Sequence, residues 1–235
     1  MNRLLLPLLT ILFLSAWTHT QAQSLQNILD KHFEAIGQEK LSNIKTYSVQ
    51  ATIKQMGMEI PMNMKMMRPN KFRMEMEMQG MKIIQAYDGE KGWMIAPPSN
   101  EPVDLSGPQL DQAMDQANID GELYNYSEKG FTASLVGKVN VDGSPMFNIK
   151  LTGKDGNSKN YFIDAESYMI RKVKAKVSAQ GQEVEVEQNM NDYKKIDGIM
   201  MATSIESKTP MGIATIVFNE IKFEENIDDS IFSKP

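Results

Sequence analysis

Methionine side chains recur at every second residue in one stretch of this 235-residue chain. Ten of the 19 methionines lie between Met56 and Met81, most of them alternating with polar residues. A thioether is a soft metal ligand that suits Cu(I), and a methionine side chain is also a flexible apolar group that adapts to variable shapes. Three interpretations therefore stand: an ordinary packed core, a wall that holds floppy acyl chains, and a Cu(I) site.

Two neighbouring strands are predicted to position these methionines. Alternation with period two indicates strands with one apolar face each, and the Arg68-Pro69-Asn70 break between the two runs favours a turn. The runs are therefore predicted to form a hairpin whose apolar side chains lie on one side of a sheet. The residues assigned to that side are Met58, Ile60, Met62, Met64, Met66, Phe72, Met74, Met76 and Met78.

Arg68 stands at the end of the first methionine run. Its even number continues the alternation of the methionines, so a regular strand would direct the guanidinium to the apolar side, where it needs partners. If the residue before Pro69 has already left the strand, Arg68 is instead a solvated turn residue. The pattern alone leaves both interpretations open.

Side chains for common catalytic mechanisms are scarce. The chain has no cysteine, and its two histidines are His19 and His32. His19 falls in a segment predicted to be removed, and His32 lies among the apolar positions of a helix, where a packing role is expected. Multi-histidine metal sites are excluded, and the residues that Ser-His-Asp or Cys-His catalysis requires are almost entirely missing. The preferred interpretation involves no enzyme activity, no cofactor and no metal.

The first 22 residues have the features of a secretory signal peptide. Arg3 precedes an apolar run from Leu4 to Trp17, and a polar stretch ends at the small residue Ala22. Residues 23–235 are then predicted to form one exported, periplasmic domain, with no lipobox cysteine for acylation. Removal of the signal leaves 24 basic and 30 acidic residues, a net charge of −6 that argues against nucleic acid as a partner.

The remaining chain is predicted to be mainly β. About 11 strands, or 12 with the last segments, are separated by turn signals, which favours one large, strongly curved antiparallel sheet. Helical spacing predicts an N-terminal helix over residues 24–36 and a short helix inserted mid-chain, with Leu110, Ala113, Met114 and Ala117 on its apolar face. The inserted helix is expected to cover the open face of the sheet.

The pairing register of one later hairpin can be predicted from its charged residues. With Gln180 and Gly181 at the centre of the turn, Lys176 is opposite Glu185 and Lys174 is opposite Glu187.

Several segments resemble the LolA-like family of periplasmic outer-membrane lipoprotein carriers. MRPNKF, from Met67 to Phe72, is similar to the family's basic-Arg-Pro-Asn-x-Phe segment. IIQAYDGEKGWMIAPP, from Ile83 to Pro98, is similar to its strand, Asp-Gly turn, aromatic and proline pattern. NYFIDAESYMIRKV and NDYKKIDGIMMATSIE resemble its later strands. The resemblance implies a half-open antiparallel β-barrel with a helical lid.

The resemblance also implies roles for single residues. Arg68 would hydrogen-bond the lid in a closed state and release it when acyl chains enter, and Phe72 would lie at the cavity mouth. Trp93 is assigned to the cavity wall, and Leu110 and Met114 to the lid. The expected function is a monomeric carrier of acylated lipoproteins or related lipids, between an inner-membrane donor and an outer-membrane acceptor. A Cu(I) chaperone and a structural module are the alternatives.

Overall fold

The structure, a computed structural model, describes residues 24–179, 182–209 and 212–235. The predicted signal peptide, residues 1–22, lies outside them. Thirteen antiparallel strands form one sheet in the order β6-β5-β4-β3-β2-β1-β13-β12-β11-β10-β9-β8-β7. The strands are β1 Thr46–Gln55, β2 Met58–Met67, β3 Lys71–Met78, β4 Met81–Tyr87, β5 Gly92–Ile95, β6 Val103–Asp104, β7 Thr132–Val141, β8 Ser144–Thr152, β9 Ser158–Asp164, β10 Ile170–Ala179, β11 Gln182–Ile196, β12 Ile199–Thr209 and β13 Gly212–Phe223.

The sheet does not close, because β6 and β7 remain its two edges. The prediction of a mainly β, half-open antiparallel barrel is confirmed. The strand count exceeds the predicted 11 or 12 partly because β6 has only two residues and lies in a segment that was expected to be a loop. Two residues are too few to show an alternation in the sequence.

The chain passes from one free edge of the sheet to the other through residues 105–131, here called the lid segment. It contains helix α3 (Pro108–Gln116), followed by a series of turns. Because β6 and β7 are at opposite ends of the strand order, the lid segment must cross the sheet. Helix α3 contacts β3, β4 and β5 on the way. The predicted helix inserted between strands is confirmed.

Two helices precede the first strand. Helix α1 (Leu25–Ile36) begins after Ser24, whose hydroxyl accepts a backbone hydrogen bond in the first turn, and ends at Gly37. Helix α2 (Gln38–Asn43) follows directly. Ile28 and Leu29 of α1 are buried with Leu123 of the lid segment against β8 and β9. Among the described residues, no helix combines the length and apolar content needed to cross a bilayer.

The register of the β10–β11 hairpin agrees with the charge pattern. Lys176 is opposite Glu185 and Lys174 is opposite Glu187. The predicted turn residues, Gln180 and Gly181, lie outside the described residues. A turn signal in the sequence and opposite charges on facing positions are local features, and here they were sufficient to predict the pairing of the described strands.

Candidate functional site

The register of β1, β2 and β3 brings the predicted apolar residues to one side of the sheet. Side chains directly opposite each other in antiparallel strands point to the same side. The pairs are Tyr47 with Met66, Val49 with Met64, Ala51 with Met62, Ile53 with Ile60, Met66 with Phe72, Met64 with Met74, and Met62 with Met76. These residues face the lid segment, and we call this side of the sheet the concave face. Its methionines pack in one cluster with Ala113 and Ala117 of the lid segment.

Burial of the concave face decreases along β2. Met66 and Met62 are buried, whereas Met58 is 39% exposed. On the neighbouring strand Phe72 is buried and Met78 is only half-buried. The lid segment therefore covers the end of the face near Met66, and the end near Met58 is open to solvent.

The lid helix contacts the sheet mainly through small residues. Ala113 is fully buried, and Leu110 packs so closely on Gly92 that a Cβ atom at Gly92 would lie 2.9 Å from the Leu110 Cδ1. Met114 is 47% exposed, so its assignment to the inner face of the lid is wrong. Successive helix residues are rotated by about 100°. Met114 lies about 100° around the helix from Ala113, at the edge of the buried face, which leaves about half of its side chain exposed.

Trp93 lies on the opposite side of the sheet, and its assignment to the cavity wall is wrong. Trp93 is paired with Ala86, and Ala86 is paired with Arg73, so the three side chains lie on the same side of the sheet. Arg73 directly follows Phe72 in β3, and successive side chains of a strand point to opposite sides. The indole Nε1 donates to the carbonyl oxygen of Phe232 at 2.8 Å, in the 3₁₀ helix Asp229–Phe232. Trp93 is therefore buried under the C-terminal tail.

Arg68 joins three parts of the molecule. Its two Nη atoms donate to the Asp120 carboxylate at 2.6 and 2.8 Å. Its Nε donates to the carbonyl of Ile44 at 2.6 Å, and Nη2 also donates to the carbonyl of Leu41 at 2.9 Å. Arg68 is thus directed towards the lid segment, and the alternative of a solvated turn residue is wrong.

Asp120 was missed as a site residue. In the sequence, Asp120-Gly121 has the form of an ordinary turn signal after the inserted helix. In the structure Asp120 also accepts a hydrogen bond from Gln38 Nε2 at 3.1 Å, so one carboxylate connects Arg68, α2 and the lid segment. The available signal was a carboxylate in the predicted lid, together with an arginine that needs a partner at the apolar side.

A second polar contact holds the lid segment two residues further on. Glu122 accepts hydrogen bonds from Lys159 Nζ and from the Tyr161 hydroxyl, both on β9. Lys159 Nζ also lies 4.0 Å from the Asp115 carboxylate. Burial, together with the neighbouring Glu122 charge, raises the pKa of Tyr161 well above its usual value, so the phenol remains a donor.

Charges of both signs are gathered between the lid segment and the sheet. Lys129 donates to the carbonyl of Gly121 at 2.6 Å, and burial lowers its pKa despite the nearby carboxylates. The acidic members of this group are Asp115, Asp120 and Glu122, and the basic members are Arg68, Lys129 and Lys159. In the part of the chain that the structure describes, no three His, Cys, Asp or Glu side chains are grouped as a metal site.

The fold is similar to that of several solved structures. An outer membrane lipoprotein-sorting protein domain from Vibrio parahaemolyticus superposes with a TM-score of 0.61 at 12% identity, covering 88% of this chain and 98% of that chain. A LolA superfamily protein from Nitrosomonas europaea gives a TM-score of 0.59 at 17% identity, covering 90% and 98%. A DUF1329 family protein from Desulfovibrio piger gives 0.59 at 14% identity, covering 88% and 97%. The predicted LolA-like resemblance is confirmed for the fold.

Sequence comparison gives a family as well. No curated protein sequence matches the chain. A family profile with the description "-like: Uncharacterized protein" matches residues 71–235, which is more than half of the 235 residues. The chain therefore belongs to this family, and it has the LolA-like fold of lipoprotein-sorting proteins.

Proposed function

We propose that this protein is a periplasmic, non-enzymatic carrier that binds acyl chains of lipoproteins, or of related lipids, on its concave face. The structure corresponds to a closed state, in which the lid segment covers the end near Met66. Affinity would come from burial of apolar surface at about 25 cal/mol per Å². Flexible methionine side chains would adapt to chains of different shape.

The observation that carries the proposal is the way in which the lid segment is held. Ala113 and Ala117 meet the methionines with small side chains beside the larger Leu105, Leu110 and Ile119, and the ion pair between Arg68 and Asp120 adds a charged contact. A cover that depends partly on such polar contacts, and that leaves the end near Met58 open, can be displaced and re-formed. This supports a lid over a ligand site more than a permanently filled interior.

Native mass spectrometry of protein purified from the periplasm tests the proposal. We expect a bound mass that corresponds to lipid or acylated peptide and that disappears after delipidation. Delipidated protein should take up an acyl probe again, with the mass of one ligand. A protein that carries no such mass and takes up no acyl probe would contradict the proposal.

A Cu(I) chaperone is kept as a second candidate because of one feature of the register. Met62 is opposite Met76 and Met64 is opposite Met74, which brings four thioethers together on adjacent strands. Thioether sulfur is a suitable donor for Cu(I) in an exported protein.

A variant with Met62, Met64, Met74 and Met76 all replaced by leucine separates the two candidates. Leucine keeps the apolar surface and removes the sulfur atoms, so acyl binding should largely survive while Cu(I) binding should vanish. Met67→Leu is the matched control, because Met67 lies on the other side of β2. Wild-type protein that binds Cu(I) but no acyl probe, together with loss of Cu(I) binding in the four-leucine variant, would favour the metal chaperone.

A further inference from the structure

We propose that the ligand of the concave face is an acyl chain with an anionic head group, a carboxylate or a phosphate, and that this anion takes the places of Asp120 and Glu122. The two lid carboxylates then act as internal substitutes for the head group in the closed state. This inference rests on the proposed acyl-carrier function and specifies the class of ligand.

The Arg68 guanidinium is already arranged for a carboxylate. Nη1 donates to Oδ2 of Asp120 and Nη2 donates to Oδ1, which is the bidentate geometry that arginine forms with carboxylates and phosphates. The carbonyls of Ile44 and Leu41 hold the same guanidinium from the side of α2. Because these two contacts do not involve the lid segment, Arg68 stays in place when Asp120 leaves.

An anion is needed once the lid segment moves. The Arg68 side chain is 24% exposed in the closed state, and a ligand head group that covers it in place of the lid segment would keep the cation largely desolvated, which is costly without a counter-charge. A neutral ligand would leave two cations, Arg68 and the β9 residue Lys159, without an anion to bind. An anionic ligand would replace both lost interactions. The cations therefore favour an anionic head group over a neutral one.

The second cation lies on the same side of the sheet. Lys159 and Tyr161 of β9 present donors to Glu122, and Tyr161 belongs to the apolar cluster under α1 and Leu123. A phosphate has enough oxygens to accept from several donors at once. Arg68 and the β9 pair thus form a set of donors at the covered end of the concave face.

The apolar face begins next to Arg68 and extends along β2 towards the open end, where it could hold an acyl chain. Met66 lies two residues from Arg68, and β2 continues to Met58 at the open end. Eight residue steps at about 3.3 Å each give a length of roughly 26 Å. That exceeds one leaflet of a bilayer, which is about half of the 30 Å hydrocarbon core. A head group at Arg68 would leave room for a full acyl chain along the methionines.

The overall charge cannot supply this selectivity. The chain has a net charge of −5, so its general field repels anions. Preference for an anionic ligand must then come from the local donors, and it should disappear when they are replaced. Replacement of these donors therefore distinguishes specific binding of the head group from non-specific electrostatic attraction.

The test compares ligands with one chain and different head groups. Laurate, dodecyl phosphate and dodecanol, each below its micelle concentration, are measured by displacement of N-phenyl-1-naphthylamine from the protein. We expect at least one anionic ligand to bind about tenfold or more tightly than dodecanol, since hydrogen bonds to charged groups are the stronger ones. Laurate and dodecyl phosphate then distinguish a carboxylate from a phosphate.

Two variants move the anion-to-alcohol affinity ratio in opposite directions. Arg68→Gln should bring the ratio close to one, and Asp120→Asn should raise it, because Asp120 no longer competes for Arg68. Both variants break the same ion pair, and lid opening affects the binding of the alcohol and of the anions alike, so it cancels in the ratio. Lys159→Gln should lower the ratio partly. Lys65→Gln, an exposed lysine on the outer side of β2, is the control and should leave the ratio unchanged.

Each outcome is informative. A wild-type ratio near one with tight dodecanol binding would overturn the anionic head group and leave the acyl carrier standing. A high ratio that Arg68→Gln and Lys159→Gln both leave unchanged would also overturn it. Failure of all three ligands to displace the probe would overturn the proposed function itself. Thermal melting of each variant identifies any that fails to fold. If Arg68→Gln does not fold, the affinity ratios of Asp120→Asn and Lys159→Gln are compared with that of the wild type.

Discussion

Arg68 donates two hydrogen bonds to Asp120, a residue 52 positions later in the chain. The pair connects the turn after β2 to the lid segment just after α3. Its side chains are 24% and 16% exposed, so solvent screens it less than an ordinary surface pair. The ion pair therefore helps to hold the lid segment against the sheet.

Loss of this ion pair should loosen the lid segment without unfolding the sheet. Arg68→Gln and Asp120→Ala are each expected to increase amide hydrogen exchange in α3 and in residues 117–124. A double-mutant cycle should give a coupling energy of about 1–3 kcal/mol. Lys54→Gln, which breaks the exposed Lys54–Glu59 pair, is the control and should have an effect below about 0.5 kcal/mol. Unchanged exchange in α3 would contradict the role given to Arg68.

The C-terminal tail should be required for stability, because it covers Trp93 on the outer side of the sheet. Phe232→Ala is expected to cost about 3–5 kcal/mol of unfolding free energy, because Phe232 is fully buried. Trp93, which donates to the Phe232 carbonyl, should show red-shifted fluorescence in this variant. Met114→Ala, at an exposed position, should change neither quantity.

Acyl ligands should leave Trp93 emission nearly unchanged, because they are expected on the opposite side of the sheet. A large ligand-induced shift of that emission would argue against binding on the concave face.

His32 should make the fold less stable in mild acid. Burial lowers the pKa of His32, although a hydrogen bond to the Tyr168 carbonyl at 2.8 Å opposes part of the effect. Above about pH 6.5 the imidazole is neutral in both states. As the pH falls below 6.5, the unfolded chain takes up a proton that the folded protein does not, so the unfolding free energy decreases by at most about 1.4 kcal/mol per pH unit.

The pH effect can be assigned to one residue. His32 is the only histidine after residue 22, so an NMR titration of protein lacking the signal peptide is unambiguous. The Tm of wild-type protein should fall between pH 7.5 and 5.5 more steeply than that of His32→Gln. A measured pKa at or above 6.5 would refute the prediction.

Glu187 should stabilise the outer side of the sheet down to low pH. Burial opposes its ionisation, but hydrogen bonds from Lys174 and Lys172 and their charges prevail and lower its pKa to about 2. Its contribution is complete above about pH 4.5 and is lost as the pH falls towards 2. Glu187→Gln should therefore lower stability by about 1 kcal/mol at pH 7, after solvent screening, and have little effect near pH 2.

The matched control for this prediction is Glu185→Gln, two residues away on the same strand. Glu185 is 63% exposed and lies 4.0 Å from Lys174, so its replacement should be nearly neutral. Urea unfolding at pH 7 and pH 2 measures both variants. An equal loss in both would show that Glu187 has no special role.

Features that depend on residues close together in the chain were predictable from the sequence. Alternation in Met58–Met67 placed the methionines on one side of the sheet, because successive side chains of a strand point to opposite sides. The pairing of Lys174 with Glu187 followed from a short turn and opposite charges. The LolA-like fold followed from the strand pattern, the inserted helix and the Arg68-Pro69-Asn70 segment.

Features that depend on contacts between distant segments required the fold. β5 has four residues, so its side was set by pairing with β4 and by Phe232, which lies 139 positions from Trp93. Arg68 had two plausible directions until Asp120 was placed beside it by the crossing of the lid segment. A strand's alternation is a property of its own backbone, whereas its partners depend on how edges and tails pack across the sheet.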